Sequence, residues 1–371
     1  MASIYFDASI LQCDNFRGVH IYAWNLIKNM ASIDRTVNFH LHFGMSGWND
    51  RIDELLGEPN VIGHRFGGKF GRHVMPVVNV VRTKSSVYCI LNGNAGHIRF
   101  KPPCRTAAVF HDMRLILYPE LYGRQLSVDF AKQAAGWMPK LDLVITGANT
   151  VKKEIVDHFG IPESRIAVVS EGSDHLDEKE PICRPALFGE EDFPFYLTVN
   201  PSDVRKNLKL ILDAFSIYIR TVPEDVTSRL VIAGIIAESE MYRQWCQRNP
   251  VAASRTISLG YVADPELRYL YRKAICFIYA SLYEGFGIPV IESLRLGCPV
   301  ILSDIPVFRE VAGDVGIYVN PTDASDLGRQ LRCIRVDLKH RSNNASAFVQ
   351  QADRYSWKKS AKVGLEALLR L

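Results

Sequence analysis

The stretch Ala280-Ser281-Leu282-Tyr283-Glu284-Gly285-Phe286-Gly287-Ile288-Pro289-Val290-Ile291-Glu292-Ser293-Leu294-Arg295-Leu296-Gly297-Cys298-Pro299-Val300 reads as a strand end, a glycine-bearing loop and a short helix. Gly285 and Gly287 permit backbone angles or close approaches that a Cβ would block. Pro289 suits the first turn of a helix, where its missing N–H costs nothing. Gly297 ends that helix and Pro299 prevents its resumption, so Val300-Ile301-Leu302 reads as the next buried strand. Glu284 falls in the loop and Glu292 about two turns later, inside the helix. One carboxylate faces the mouth of the loop, and the other flanks a helix N-terminus able to hold an anion.

Working outward, the same strand–loop–helix grammar recurs on both sides. Phe195 to Val199 opens an α/β unit, and Asn200-Pro201-Ser202-Asp203-Val204-Arg205-Lys206-Asn207 leads into a helix from Leu208 to Ile219. Adjacent Arg205 and Lys206 before a helix make a phosphate site: a guanidinium binds bidentately, an ammonium adds point charge, and helix N–H groups add dipole. Arg229 to Gly234 and Ile257 to Val262 are further strands, the second followed by an acidic helix start at Asp264-Pro265-Glu266. Nearer the amino terminus, Ser3 to Asp7 is a buried strand, Gln12 to Gly18 a loop, and Val19 to Met30 a helix by its apolar spacing. That is the opening of a doubly wound α/β unit. Val37 to Phe43, Val61 to His64, Leu141 to Thr146 and Arg165 to Ser170 are the other strand candidates. Arg105 to Asp112 is a strand that ends in His111-Asp112, and ligands of parallel α/β sheets gather at such carboxyl ends. Asp112 is expected to orient its neighbours or to cap the turn that follows. Asp177 to Pro194 is rich in acids and prolines and lacks periodicity, which makes it the expected linker. Two domains are therefore expected, 1–183 and 184–354.

Composition agrees with a two-domain globular protein. The chain has 371 residues, 47% hydrophobic and 23% charged, enough for two cores of ordinary size. Met1 to Met30 lacks the charged start, apolar core and cleavage site of a secretory signal. No stretch approaches the roughly 20 apolar residues that span a bilayer. The eight cysteines show no C-x-x-C pair, and Cys89, Cys276 and Cys298 read as reduced core residues, so the expected location is cytoplasmic. Net charge is only +4, yet Pro59 to Arg105 contains no Asp or Glu against eight basic residues. Such a block points to an anionic partner, or else to a solvated face balanced by acids elsewhere. Within it, His73 to Val81 is a candidate apolar helix flanked by Arg72, Arg82 and Lys84, suited to an anionic membrane surface or to the core.

Glu284 and Glu292, with seven residues between them and Gly-Phe-Gly after the first, resemble the paired-glutamate motif of retaining glycosyltransferases of the GT-B fold, glycosyltransferase family 4. Ser303-Asp304-Ile305-Pro306 and Glu310-Val311-Ala312-Gly313 downstream fit the same resemblance. It implies two Rossmann-like domains facing each other across a cleft, with a closing helix, about 355–371, that crosses back onto the first. It further implies transfer from a nucleotide-diphospho-sugar without a metal, and no Asp-x-Asp constellation stands out. Arg205 and Lys206 would then bind the pyrophosphate, and Glu292 would accept hydrogen bonds from the ribose. Glu284, with the loop of Gly285, Phe286, Gly287 and Ile288, would hold the sugar hydroxyls. His111 would reach the sugar from the other domain, and the backbone beside Tyr261 would meet the base. Arg17 and Gly18 stand where the family has a glycine-rich cleft loop, of which only Gly18 remains here. Glu171-Gly172-Ser173-Asp174 departs likewise from the family's Asn-Gly-x-Asp turn.

The segments around His111 and Arg205 are similar to those of members that move mannose from GDP-mannose in bacterial surface-polysaccharide assembly. UDP-glucose, UDP-N-acetylglucosamine and dTDP-rhamnose stay open as donors. The acceptor is expected to be a saccharide or a polyprenyl-linked saccharide, reached at the inner face of the plasma membrane through 59–105. A nucleotide-sugar epimerase and a non-catalytic partner subunit are rival readings. A nucleic-acid binder is the third, and no motif supports it.

Overall fold

The structure is a computed structural model that describes residues 2–13, 18–67, 86–93, 104–176, 181–199, 202–236, 240–337 and 339–371. The expected helix from His73 to Val81, Arg17 and Asn200 lie outside the described residues. The chain forms two compact units, Met1–Gly172 with Ser356–Leu371, and Ser173–Tyr355. Each is a Rossmann-like parallel sheet with helical connections.

In the first unit the strands are β1 (Ser3–Asp7), β2 (Asn38–Phe43), β3 (Val61–Arg65), β4 (Ser86–Ile90), β5 (Arg105–Val109), β6 (Leu143–Thr146) and β7 (Ile166–Val168). They lie in the order β3-β2-β1-β4-β5-β6-β7, all parallel, with Ile4 opposite Phe39 and Val87. The helix Val19–Ile33 packs against the last helix of the chain, Trp357–Leu369. Gly364 allows this approach, since a Cβ there would stand 2.7 Å from Met30 Cε. Trp357 meets the edge of Tyr22, whose hydroxyl donates to the Val169 carbonyl at 3.2 Å. Sequence-distant helices are thus joined by apolar burial and a single glycine-sized gap.

One face of this sheet carries an unusual group. His40 stacks on Tyr5, His40 Nδ1 lies 2.9 Å from His64 Nε2, and His42 packs edge-on against His64 and Phe66. His42 is buried, and neither ring nitrogen has a hydrogen-bond partner among the described residues. Burial and the neighbouring imidazoles push His42 down to about 3 and His40 to about 4, and burial lowers His64 as well. All three are neutral near pH 7.

In the second unit the strands are β8 (Phe195–Val199), β9 (Arg229–Ala233), β10 (Thr256–Gly260), β11 (Cys276–Tyr279), β12 (Val300–Ser303) and β13 (Ile317–Val319). Their order is β10-β9-β8-β11-β12-β13. Strand order reverses between β8 and β11, and in such sheets the crevice at the carboxyl ends of those two strands is where ligands bind. The helix Leu208–Thr221 places Leu212, Phe215 and Tyr218 in the core beneath. The units divide at Gly172/Ser173 rather than at 183/184, and contacts of Ser173, His175 and Cys183 run into the second unit. Arg295 Nε donates to Ser173 Oγ at 2.8 Å, His175 meets Glu292, and Cys183 N–H donates to the Pro265 carbonyl. Among the described residues no helix is long and apolar enough to cross a membrane.

The histidine face makes the first unit acid-sensitive. The folded-state values of His40 and His42 lie below the unfolded value of about 6.5, so the unfolded chain binds more protons as pH falls. Their contribution is therefore complete above pH 6.5 and is lost below it, by up to about 1.4 kcal/mol per pH unit for the buried His42 and by less for the half-buried His40, which solvent screens. Thermal melts followed by circular dichroism should show a steep loss of stability from pH 6.5 to 4.5. His42→Phe should make that slope shallower.

Candidate active site

At the carboxyl end of β8 a single tight turn, Val204–Lys206, is capped by Asp203, whose Oδ1 accepts from the Arg205 N–H at 3.1 Å. Beyond β11 the chain runs through Ala280 and the glutamate loop into the helix Ile288–Arg295. Asn207 ties the two together. It alone among the described non-glycine residues has positive φ, +57°, a conformation that asparagine tolerates better than most residues. That backbone turn aims its amide at the carbonyls of Ala280 (3.1 Å) and Pro321 (2.8 Å). Leu282 N–H adds a third link by donating to the Arg205 carbonyl at 2.8 Å.

The charged side chains form one network across this seam. Glu284 accepts from Arg205 Nη1 on one oxygen, and from Lys206 Nζ and Ser281 Oγ on the other. Arg205 also donates to the Tyr283 carbonyl (3.1 Å) and, through Nε, to Asp203 (3.1 Å). Lys206 donates to the Tyr279 hydroxyl and sits 4.4 Å from the centre of that ring. Glu284 is only 5% exposed. Burial alone would raise its carboxyl, but the charges of Arg205 and Lys206 outweigh this and hold it at about 2. Burial lowers Lys206 to about 8 despite Glu284, with Arg205 lowering it further. The cluster is ionic at neutral pH.

Glu292 faces a second set of partners. One oxygen lies 3.1 Å from His175 Nε2, and the other accepts from the Tyr271 hydroxyl at 3.2 Å. Between the two glutamates, Gly287 lies at φ +103°, and a Cβ there would meet Phe308 at 3.0 Å. Gly285 is not in the left-handed region, so the strict glycine requirement falls on Gly287. Phe286 packs edge-on against Tyr355, and Ile288 is buried at the helix start. Tyr261 is well exposed, just beyond the carboxyl end of the outer strand β10.

In the first unit His111 follows β5. Its Nε2 donates to the Leu91 carbonyl at 3.2 Å, which leaves Nδ1 as the acceptor nitrogen. Burial lowers it to about 4 against the opposing pull of Asp112, so the ring is neutral. Asp112 accepts from the Arg114 N–H and guanidinium and so orients that neighbour. Gly18 starts the helix Val19–Ile33 at φ +42°. Of the basic block, Arg105 is paired with Asp142, and Arg65 lies over Trp48.

The structure therefore joins Arg205, Lys206 and Glu284 in one cluster and sets Glu292 in another. Partners missed in the sequence include Tyr279, Ser281, Tyr271 and His175. Ser281 lies three residues before Glu284 on a loop, which is a usable local signal. The others are joined to the site only by the fold.

Two doubly wound parallel sheets, one with a buried Arg-Lys-Glu cluster at its switch point, are the parts of a GT-B glycosyltransferase. Residues 183–352 match the family described as glycosyl transferases group 1. It is 27% identical over 263 residues to O-antigen chain mannosyltransferase B of Escherichia coli, covering 68% of this chain and 67% of that protein. It is 25% identical over 286 residues to the serotype-specific mannosyltransferase WbdA of Escherichia coli. That match covers 72% of this chain but only 34% of WbdA. Among solved structures, the Anabaena protein HepE in complex with UDP and glucose superposes with a TM-score of 0.73 over 100% of both chains at 17% identity, a likeness of fold.

Asn207→Ala removes two side-chain hydrogen bonds and strains the backbone, and should lower stability by about 3 kcal/mol. Asn207→Gly keeps the turn and should cost about 2 kcal/mol or less. Equilibrium denaturation of both variants checks the order.

Proposed function

We propose that the chain moves a hexosyl group from a nucleotide-diphospho-sugar to a saccharide or lipid-linked saccharide with retention at the anomeric carbon, and that the donor is GDP-mannose. The observation that carries this reading is the buried Arg205–Lys206–Glu284 cluster at the carboxyl ends of β8 and β11. A departing nucleoside diphosphate gains charge on its β-phosphate, and a guanidinium and an ammonium already fixed in a dry site stabilise that charge without reorganising. Glu284 and the loop from Gly285 to Ile288 take the sugar hydroxyls. Glu292, oriented by His175 and Tyr271, keeps lone pairs for the ribose. His111 contributes a neutral acceptor nitrogen to the sugar, Tyr261 marks the base end, and Arg17 with Gly18 belongs to the acceptor.

In this reading the leaving phosphate takes the acceptor's proton on the face it departs from, and no metal takes part. Mannose, and a role in surface-polysaccharide assembly, rest on the relatives named as O-antigen and serotype-specific mannosyltransferases. An acceptor on a polyprenyl carrier accounts for the basic block 59–105, which would meet an anionic membrane at the cytoplasmic face.

Arg205→Ala and Lys206→Ala should each lower transfer by about 100- to 1000-fold. Near-normal rates in both would remove the phosphate assignment. Thermal-shift measurements with GDP, UDP, dTDP and ADP, and then with their sugars, test the donor. A ligand at 100 times its Kd should stabilise by about 2.7 kcal/mol, and the largest shift should come with GDP and GDP-mannose.

A further inference from the structure

Glu284 occupies the position that the proposed diphosphate needs. Its two oxygens take one hydrogen bond each from Arg205 Nη1 and Lys206 Nζ. Asp203 meets Arg205 at Nε instead, while Nη1 serves Glu284 and the Tyr283 carbonyl. The four side chains together are formally neutral, so a phosphate arriving at this seam meets cations that already have a counter-ion. A carboxylate and a diphosphate cannot both stay within hydrogen-bond reach of one buried ammonium without strong repulsion.

We infer that Glu284 is a displaceable counter-anion, driven off Arg205 and Lys206 by the donor's diphosphate and returning to them to expel the nucleoside diphosphate once the sugar has left. This rests on the phosphate reading proposed above. While the intact donor is bound, the displaced carboxylate accepts hydrogen bonds from the sugar hydroxyls. After transfer those hydroxyls are gone, and a buried carboxylate short of donors is costly. Its nearest remedy is the pair of cations that it left. The same residue thus favours the intact nucleotide-sugar over the spent nucleotide. Ser281, 2.8 Å from one oxygen, steadies the resting position.

The test is calorimetric titration of the full chain with inorganic pyrophosphate, GDP and UDP, comparing the unaltered protein with Glu284→Gln and Ser281→Ala. Glu284→Gln should bind pyrophosphate and its nucleoside diphosphate about tenfold or more tightly, even as its transfer rate falls. Its preference for nucleotide-sugar over nucleoside diphosphate should shrink. Ser281→Ala should move in the same direction by less. Equal or weaker binding by Glu284→Gln, with the unaltered protein binding normally, makes Glu284 a fixed scaffold and overturns the inference. If Glu284→Gln does not fold, equal or weaker binding by Ser281→Ala does the same. Binding of none of the three ligands by any of the proteins overturns the phosphate reading along with it.

Discussion

Glu284 is a carboxylate buried between a guanidinium and an ammonium, and that placement governs the second unit. Taking three charges out of water costs several kcal/mol per ion unless they find one another at hydrogen-bond distance. The turn after β8 and the loop after β11 must therefore be held to within a fraction of an ångström. Asn207 does much of this by reaching from one strand's turn to the carbonyls beyond two others. The parallel register of β8 and β11 brings the two turns side by side. The sheet's switch point is where strand order reverses, and in such sheets that is where a crevice opens between two strand ends.

The second glutamate shows the same economy with different means. Glu292 is buried on a helix and is satisfied by a tyrosine from the neighbouring helix and by a histidine from the segment that follows β7. That contact, with Arg295 on Ser173, draws residues 173–176 into the second unit. A pair of polar contacts thus lies just beyond the point where one unit ends and the next begins. Glu292 and Arg295, which make these contacts, stand about one turn apart on the same helix.

The first unit has its polar burial elsewhere. Its histidine face is neutral and packed on tyrosine and phenylalanine, and it relies on aromatic stacking where the second unit relies on ion pairs. His111 belongs to the same pattern: a neutral imidazole, fixed through one nitrogen by a backbone carbonyl. Neutral hydrogen-bonding groups suit sugar hydroxyls, whereas the charged cluster suits phosphate. The two units thus bury their polar groups by different chemistry.

By itself the sequence determined the elements and the chemistry on offer. The glycines, Pro289, Pro299 and the apolar runs around 276–302 act through local backbone preference, and that is readable along the chain. The neighbouring Arg205 and Lys206 and the two glutamates are readable as residue types in loops and helix starts. Only the tertiary structure decided which charges meet. Arg205 and Glu284 are 79 positions apart, and His175 and Glu292 are 117 apart. No local spacing encodes such pairs. They depend on which strands lie side by side and on how far each turn projects. Only strand order and register set those two quantities.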